Sequence, residues 1–121
     1  MEDANCYSLN LQKKFMWLKP IPKSGYYAVI FSSKKEDDLT GYHEMNDELM
    51  KLVQEQEGFL GYESVIHENK SIFISYWESM EAIEKWKNNS LHIQAKQFAH
   101  KWYKRYLSQI CKVEYTSLYE K

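Results

Sequence analysis

The chain has 121 residues, a formal net charge of −1, and a composition that is 44% hydrophobic and 16% aromatic. This length builds one hydrophobic core and leaves no room for a second domain. The balanced charge gives no sign of a nucleic-acid or membrane partner, and no apolar run is long enough to span a bilayer. The high aromatic content favours an aromatic-lined cavity or interface, although the same side chains also fill cores.

The N-terminus begins Met1-Glu2-Asp3 and has no basic and apolar leader. The two cysteines, Cys6 and Cys111, are far apart and lack metal-type spacing, so two free thiols in a reducing compartment are the simplest account. The chain contains no P-loop, no glycine-rich dinucleotide turn and no paired-cysteine motif. We therefore expect a soluble cytoplasmic protein without an organic cofactor or a bound metal.

Residues 1–25 form a predicted N-terminal arm, and residues 26–121 form the predicted domain. The arm carries a short apolar patch at residues 15–18. Its Trp17 is costly to leave in water, so we expect the patch to pack on the domain or on a partner. Two prolines follow the patch and exclude a continuing helix or a central strand there.

The domain begins with a β-branched and aromatic strand at residues 26–31. Apolar residues then recur at three- and four-residue spacing over residues 39–53, which predicts an amphipathic helix. Asp37 or Asp38 is the expected cap of this helix, and Gly58 ends the segment.

The second half of the domain contains two helical stretches between its strands. Ser79 caps a short helix, and residues 88–90 separate it from a second stretch at residues 91–106. The order βαββαβ is that of a ferredoxin-like α+β fold, with an antiparallel sheet and helices on one face. We expect its first and third strands to be parallel neighbours joined by a right-handed crossover. The remaining strands are predicted at residues 59–66, 71–77 and 110–119.

Neither face of the predicted sheet is polar. In the first strand Tyr27, Val29 and Phe31 alternate with Ala28 and Ile30, and the third strand repeats this pattern. Two helical segments cover only one face of a four-stranded sheet. We expect a second copy of the sheet to cover the other face, which predicts a homodimer joined through sheet faces. The alternative is that the N-terminal arm folds over that face.

Several short segments stand in a recognisable order: residues 26–31, 58–61 and 75–77, then Trp86 followed by His92, and Trp102-Tyr103 followed by Tyr106. Through them the chain resembles the antibiotic biosynthesis monooxygenase family. The resemblance implies a dimeric α/β barrel of ferredoxin-like subunits. This family includes quinol and anthrone oxygenases and haem-degrading enzymes, so it implies the fold more strongly than one activity.

The expected ligand site lies between the helices and the sheet, near the break at residues 88–90. Trp86 and His92 flank this break and are the candidate catalytic residues, with His92 as a general base toward a phenolic substrate. The alternatives are that His92 satisfies the start of the second helical stretch and that Trp86 belongs to the core. The candidate substrate-binding residues lie on the third strand and the last helix: Ser75, Tyr76, Trp77, Trp102 and Tyr103.

The resemblance leaves several functions open. In haem-degrading relatives the iron-binding histidine comes ten positions after the pocket tryptophan, and here Lys96 stands at that position. A charged lysine is a poor iron ligand, which disfavours haem degradation. The leading hypothesis is a cofactor-independent monooxygenase acting on a small aromatic or quinol-like compound. The alternative is a non-catalytic dimer that binds a small hydrophobic ligand or acts in a stress response.

Overall fold

The computed structural model describes residues 13–121, in which five strands and four helices follow one another. Cys6 and the first part of the predicted arm lie outside this range. No helix within it is long and apolar enough to cross a membrane. The strands are Lys13–Trp17 (β1), Tyr26–Lys35 (β2), Phe59–His67 (β3), Lys70–Trp77 (β4) and Tyr103–Val113 (β5). The helices are Tyr42–Val53 (α1), Met80–Lys87 (α2), Ser90–Gln97 (α3) and Ala99–Trp102 (α4).

The strands form one sheet in the order β1-β3-β4-β2-β5, and every neighbouring pair is antiparallel. From β2 onward, the elements have the predicted ferredoxin-like βαββαβ arrangement, so the predicted fold class is confirmed. The predicted arm contributes β1, which pairs with β3 so that Trp17 lies opposite Gly61.

The predicted parallel pairing of the first and third domain strands is wrong. These strands are β2 and β4, and they pair antiparallel with Tyr27 opposite Trp77. The reason is the tight turn at Glu68 and Asn69, which folds β4 back along β3. Since β2 and β3 both run antiparallel to β4, the two strands that α1 connects are parallel to each other but are separated by β4.

The last strand begins and ends earlier than the sequence predicts, because β5 covers Tyr103–Val113 whereas the predicted strand covers residues 110–119. The helical conformation ends at Trp102, the last residue of α4. The rings of Tyr103 and Tyr106 each lie 5.4 Å from the ring of Phe31 on β2. This packing on the sheet overrides the helical pattern, so the predicted helix at residues 91–106 is too long.

The helix starts differ in how they are capped. Ser79 caps α2 as predicted, since its hydroxyl oxygen accepts a hydrogen bond from the backbone N–H of Ala82 at 3.1 Å. The expected aspartate cap of α1 is absent. Gly41 occupies the cap position, and Asp38 instead accepts hydrogen bonds from the backbone N–H and hydroxyl of Thr40.

The helices cover one face of the sheet, and the core lies beneath them. Alternation along β2 and β4 directs Tyr27, Val29 and Phe73 to this face. The buried members of the core come from α1, α2, β3 and β4: Val53, Phe59, Tyr62, Trp77, Ala82 and Ile83.

The opposite face, called here the open face, carries an apolar row and is only partly covered. This row consists of Val65 on β3, Ile72 on β4 and Leu107 on β5, with exposed fractions of 47%, 50% and 41%, and is interrupted on β2 by Ser32. The arm covers one end of this face, where the ring of Trp17 stacks on Tyr76 with centroids 4.5 Å apart. Most of the apolar row therefore remains in contact with solvent.

Candidate functional site

Four predicted site residues form one continuous group, called here the tryptophan stack: Ser75, Trp77, Trp86 and His92. Trp77 is only 1% exposed, and its ring N–H donates a hydrogen bond to the Ser75 hydroxyl at 2.9 Å. The ring of Trp86 stacks on Trp77 with centroids 6.4 Å apart. The structure thus brings together the predicted catalytic residues and two of the predicted substrate-binding residues.

His92 completes the stack and has a defined tautomer. Its ring lies 4.9 Å from that of Trp86 at an interplanar angle of 13°, and its Nδ1 is 3.1 Å from the Trp86 carbonyl oxygen. A carbonyl only accepts hydrogen bonds, so Nδ1 carries the proton and Nε2 carries a lone pair. Burial lowers the pKa of His92 despite this hydrogen bond, and the charges of Lys96 and Lys87 lower it further. The ring is therefore neutral at physiological pH and able to accept a proton at Nε2.

The break between α2 and α3 is capped by Asn89. Its side-chain oxygen accepts hydrogen bonds from the backbone N–H groups of Leu91 at 2.9 Å and His92 at 3.4 Å. The His92 ring does not cap α3. It connects α3 to the last turn of α2 through its hydrogen bond with the Trp86 carbonyl. An unbroken helix would direct residues six positions apart to opposite sides, and this break brings the two rings together.

Tyr76 lies on the open face, so only Trp77 of these two neighbours enters the helical layer. The Tyr76 hydroxyl donates a hydrogen bond to Glu63 at 2.7 Å, and its ring packs between Trp17 and Tyr26. Burial raises the pKa of Tyr76, and the hydrogen bond and charge of Glu63 raise it further. Tyr76 therefore does not face a ligand at the tryptophan stack.

Trp102 and Tyr103 lie in a separate aromatic group. Trp102 donates its ring N–H to the Thr40 carbonyl at 3.0 Å, and the ring of Tyr42 packs against both Trp102 and Tyr103. Tyr103 pairs with Lys35 at the end of β2, whereas Trp77 pairs with the start of β2. Eight residues of strand span about 26 Å, so the structure separates these residues from Trp77.

Sequence reasoning missed a buried lysine in this second group. Lys35 is 6% exposed, and its Nζ donates a hydrogen bond to the Ser71 hydroxyl at 2.9 Å. The hydroxyls of Ser71 and Ser33 also lie 2.9 Å apart. Burial lowers the pKa of Lys35. The sequence contains a signal for this burial. The strand alternation that directs Tyr27 and Phe31 toward the helices directs Lys35 to the same side.

Two of the surface concavities within residues 13–121 are shallow clefts that Trp86 and His92 do not line. Over the same range, no group of three His, Cys, Asp or Glu side chains could hold a metal ion. One concavity, of about 260 Å³, lies between the start of α1 and α4 and is lined by Thr40, Gly41, Met45, Phe98, Lys101 and Trp102. The other, of about 370 Å³, lies beside the end of the arm and is lined by Lys19, Pro20, Pro22, Ser24, Gly25, Tyr26, Leu60 and Glu78.

A family model described as monooxygenase af470-like matches residues 28–114, and the chain belongs to this family. Protein YqjZ of Bacillus subtilis (strain 168), itself uncharacterized, is 40% identical over 106 residues, which cover 86% of this chain and 93% of YqjZ. The family model agrees with the family resemblance that the sequence motifs predict.

Solved structures share the fold. SnoaB, a cofactor-independent oxygenase from Streptomyces nogalater, matches with a TM-score of 0.65 and 8% identity, covering 77% of this chain and 97% of SnoaB. A candidate antibiotic biosynthesis monooxygenase from Nitrosomonas europaea matches with a TM-score of 0.65 and 9% identity, covering 77% and 94% of the two chains. The predicted resemblance to the antibiotic biosynthesis monooxygenases is confirmed.

Proposed function

We propose that the protein is an oxygenase that uses dioxygen, without an organic cofactor, on a small aromatic or quinol-like compound. Membership of a monooxygenase-like family supports this reaction type. The observation that carries the proposal is the geometry of His92. Its ring is neutral and stacks on Trp86, and its Nδ1 bonds to the Trp86 carbonyl, which leaves the lone pair on Nε2 available. Such a nitrogen is suited to general-base catalysis near neutral pH.

The reaction requires a base, a flat apolar surface and little water. Nε2 of His92 removes a proton from the substrate, and the resulting carbanion or phenolate transfers one electron to dioxygen. The two radicals combine to form a C–O bond, and the peroxide anion takes back the proton from His92. At a CH₂ carbon, loss of water from this hydroperoxide leaves a carbonyl. Each turnover thus consumes one dioxygen and releases one water.

The tryptophan stack supplies the surface for an aromatic substrate. Trp86 is partly buried and stacks with the rings of Trp77 and His92, so a ligand would contact the half-buried His92 side of the stack and the accessible part of Trp86. Offset stacking of aromatic rings adds to the free energy of burial, so a flat ligand gains from this surface. Exclusion of water by such rings also protects the radical pair before it combines.

Dioxygen uptake tests the proposal. The purified protein is incubated with a panel of phenols, quinols and anthrones, and oxygen consumption is compared with substrate loss. For at least one compound, we expect the protein to consume dioxygen and substrate in equal molar amounts. The control is His100→Ala, which alters an exposed histidine on α4 and should be as active as the wild type. Ligand binding without oxygen uptake would contradict the proposal and favour a non-catalytic binding module.

We also propose that the protein is a homodimer joined through its open faces. Val65, Ile72 and Leu107 are exposed apolar residues there, and the half-buried Ile30 and Ile74 extend the apolar surface. Strand β5, which carries Leu107, is an edge strand of the sheet formed by residues 13–121, so a partner would also meet an open sheet edge there. A second copy placed on this face would bury more than about 1,500 Å² in total, the range of stable interfaces.

Sedimentation measures the proposed assembly. The wild type should sediment as a dimer at micromolar concentration, and Ile72→Asp should dissociate it, because the carboxylate would be buried without a partner. Ile93→Asp is the matched control, since it alters an exposed isoleucine on α3. A monomeric wild type, or equal dissociation of both variants, would contradict this arrangement.

A further inference from the structure

Lys35 is a buried cation without an acidic partner among residues 13–121. Its side chain lies on the helical side of β2, where Asn69 fixes the backbone through a hydrogen bond from the Lys35 N–H to the Asn69 carbonyl at 2.7 Å. Its Nζ has one hydrogen-bond acceptor, the Ser71 hydroxyl. Among the residues that the structure describes, no carboxylate lies within salt-bridge distance of Nζ.

Two tyrosine rings lie beside this ammonium group. Nζ lies 5.4 Å from the ring centre of Tyr42 and 6.0 Å from that of Tyr103. Tyr103 in turn packs against Phe31 and Tyr106. Tyr106 is 49% exposed, so this lysine–tyrosine cluster (Lys35, Tyr42, Tyr103, Phe31 and Tyr106) reaches solvent along the edge strand β5.

A purely structural role gives a poor account of a lysine at this position. Removing an ammonium group from water costs free energy, which a single hydroxyl and two ring faces offset only in part. Burial accordingly lowers the pKa of Lys35. A methionine or leucine would fill the same space without that cost.

We propose that the lysine–tyrosine cluster binds the anionic oxygen of a flat aromatic ligand, a phenolate or an aromatic carboxylate. The oxygen pairs with Nζ of Lys35, and the ligand ring stacks on the exposed side of the cluster at Tyr106. Phosphate fits poorly, because the cluster offers few N–H donors and mostly ring faces. This site is distinct from the tryptophan stack and does not depend on the proposed oxygenase reaction.

Binding of 4-nitrophenol tests the site, because the phenolate form has its own absorbance band. The wild type should bind the phenolate and should bind 4-nitroanisole, which cannot ionise, at least about tenfold more weakly. Lys35→Met should lose about tenfold in phenolate affinity. Lys34→Met, which alters the exposed lysine next to it on the other side of β2, should bind like the wild type.

A second variant allows the site to be tested if Lys35→Met fails to fold. Tyr106→Ala removes a half-exposed ring from the edge strand and should weaken phenolate binding several-fold. The proposal is overturned if the wild type does not bind 4-nitrophenolate, if 4-nitroanisole or inorganic phosphate binds as tightly, or if folded Lys35→Met retains full affinity.

Discussion

His92 and Trp86 are joined twice, by a stacked pair of rings 4.9 Å apart and by a hydrogen bond from the His92 ring to the Trp86 carbonyl. The first contact places an imidazole on an aromatic surface, and the second fixes which nitrogen carries the proton. Together they give a weakly basic, oriented nitrogen at the break between α2 and α3. This pair therefore serves both the stability of the fold and the proposed chemistry, and the two contributions are separable.

Two substitutions of His92 separate these contributions. His92→Ala should lower the free energy of unfolding by about 1 kcal/mol, because the Trp86 carbonyl loses a hydrogen bond. His92→Asn should recover part of this loss, since its amide can donate to the same carbonyl. Both variants should lose about a hundredfold in turnover if Nε2 is the base. Thermal unfolding and oxygen uptake measure the two effects, and full activity in His92→Asn would exclude that base.

His92 also makes stability depend on pH in a defined direction. Its pKa in the folded chain lies below the ordinary value of 6.5 because burial disfavours the charged ring. As the pH falls through 6.5, the unfolded chain binds a proton that the folded chain does not, so the free energy of unfolding decreases until the pH passes the lower folded pKa.

The comparison of wild type with His92→Asn isolates this effect, because the carboxylates are the same in both proteins. Urea unfolding between about pH 7 and pH 5 should show a larger loss of stability in the wild type than in the variant. Equal losses would show that the pKa of His92 is not lowered in the folded chain.

Gly61 allows β1 to approach β3 beneath Trp17. A Cβ at this position would lie 2.9 Å from the Cα of Trp17 and would collide with the Met16 carbonyl oxygen. Gly61→Ala should therefore lower the free energy of unfolding by about 1–3 kcal/mol and displace Trp17 from Tyr76. Calorimetry and tryptophan fluorescence measure these changes. An unchanged melting temperature would mean that β1 is not seated against Gly61.

Haem should not bind tightly to this chain. Lys96 stands at the position of the iron-binding histidine in haem-degrading relatives and is exposed on α3, and a lysine ammonium group is a poor iron ligand. Titration with hemin should give only weak, non-stoichiometric absorbance changes. A sharp Soret band at one hemin per chain would contradict this expectation.

Much of the fold follows from local sequence patterns. The β-branched and aromatic run at residues 26–31 correctly predicts the first part of β2, and Ser79 correctly predicts the start of α2, whereas the side of β2 that faces the helices was left open because both sides are apolar. The boundary at Trp102 and Tyr103 was not predictable in the same way. Apolar residues continue at helical spacing beyond this boundary. The strand conformation depends on packing against Phe31, which is distant in the sequence.

The candidate site was predictable in part. The proximity of Trp86 and His92 to the break between helices was visible in the sequence, but their ring-to-ring stacking depends on the angle that Asn89 gives the break. Lys35 was overlooked because a lysine at the end of a strand normally lies in water. Its burial depends on Tyr42 and Tyr103, which come from separate elements.

Labelled dioxygen tests the proposed oxygenase reaction most directly. The protein is incubated with oxygen-18 gas and a substrate found by oxygen uptake, and the product is analysed by mass spectrometry. The wild type should place one oxygen-18 atom in each product molecule, and His92→Ala should form about a hundredfold less of the labelled product in the same time. Product that takes its new oxygen from water, or labelling that is as fast in His92→Ala as in the wild type, would contradict the account.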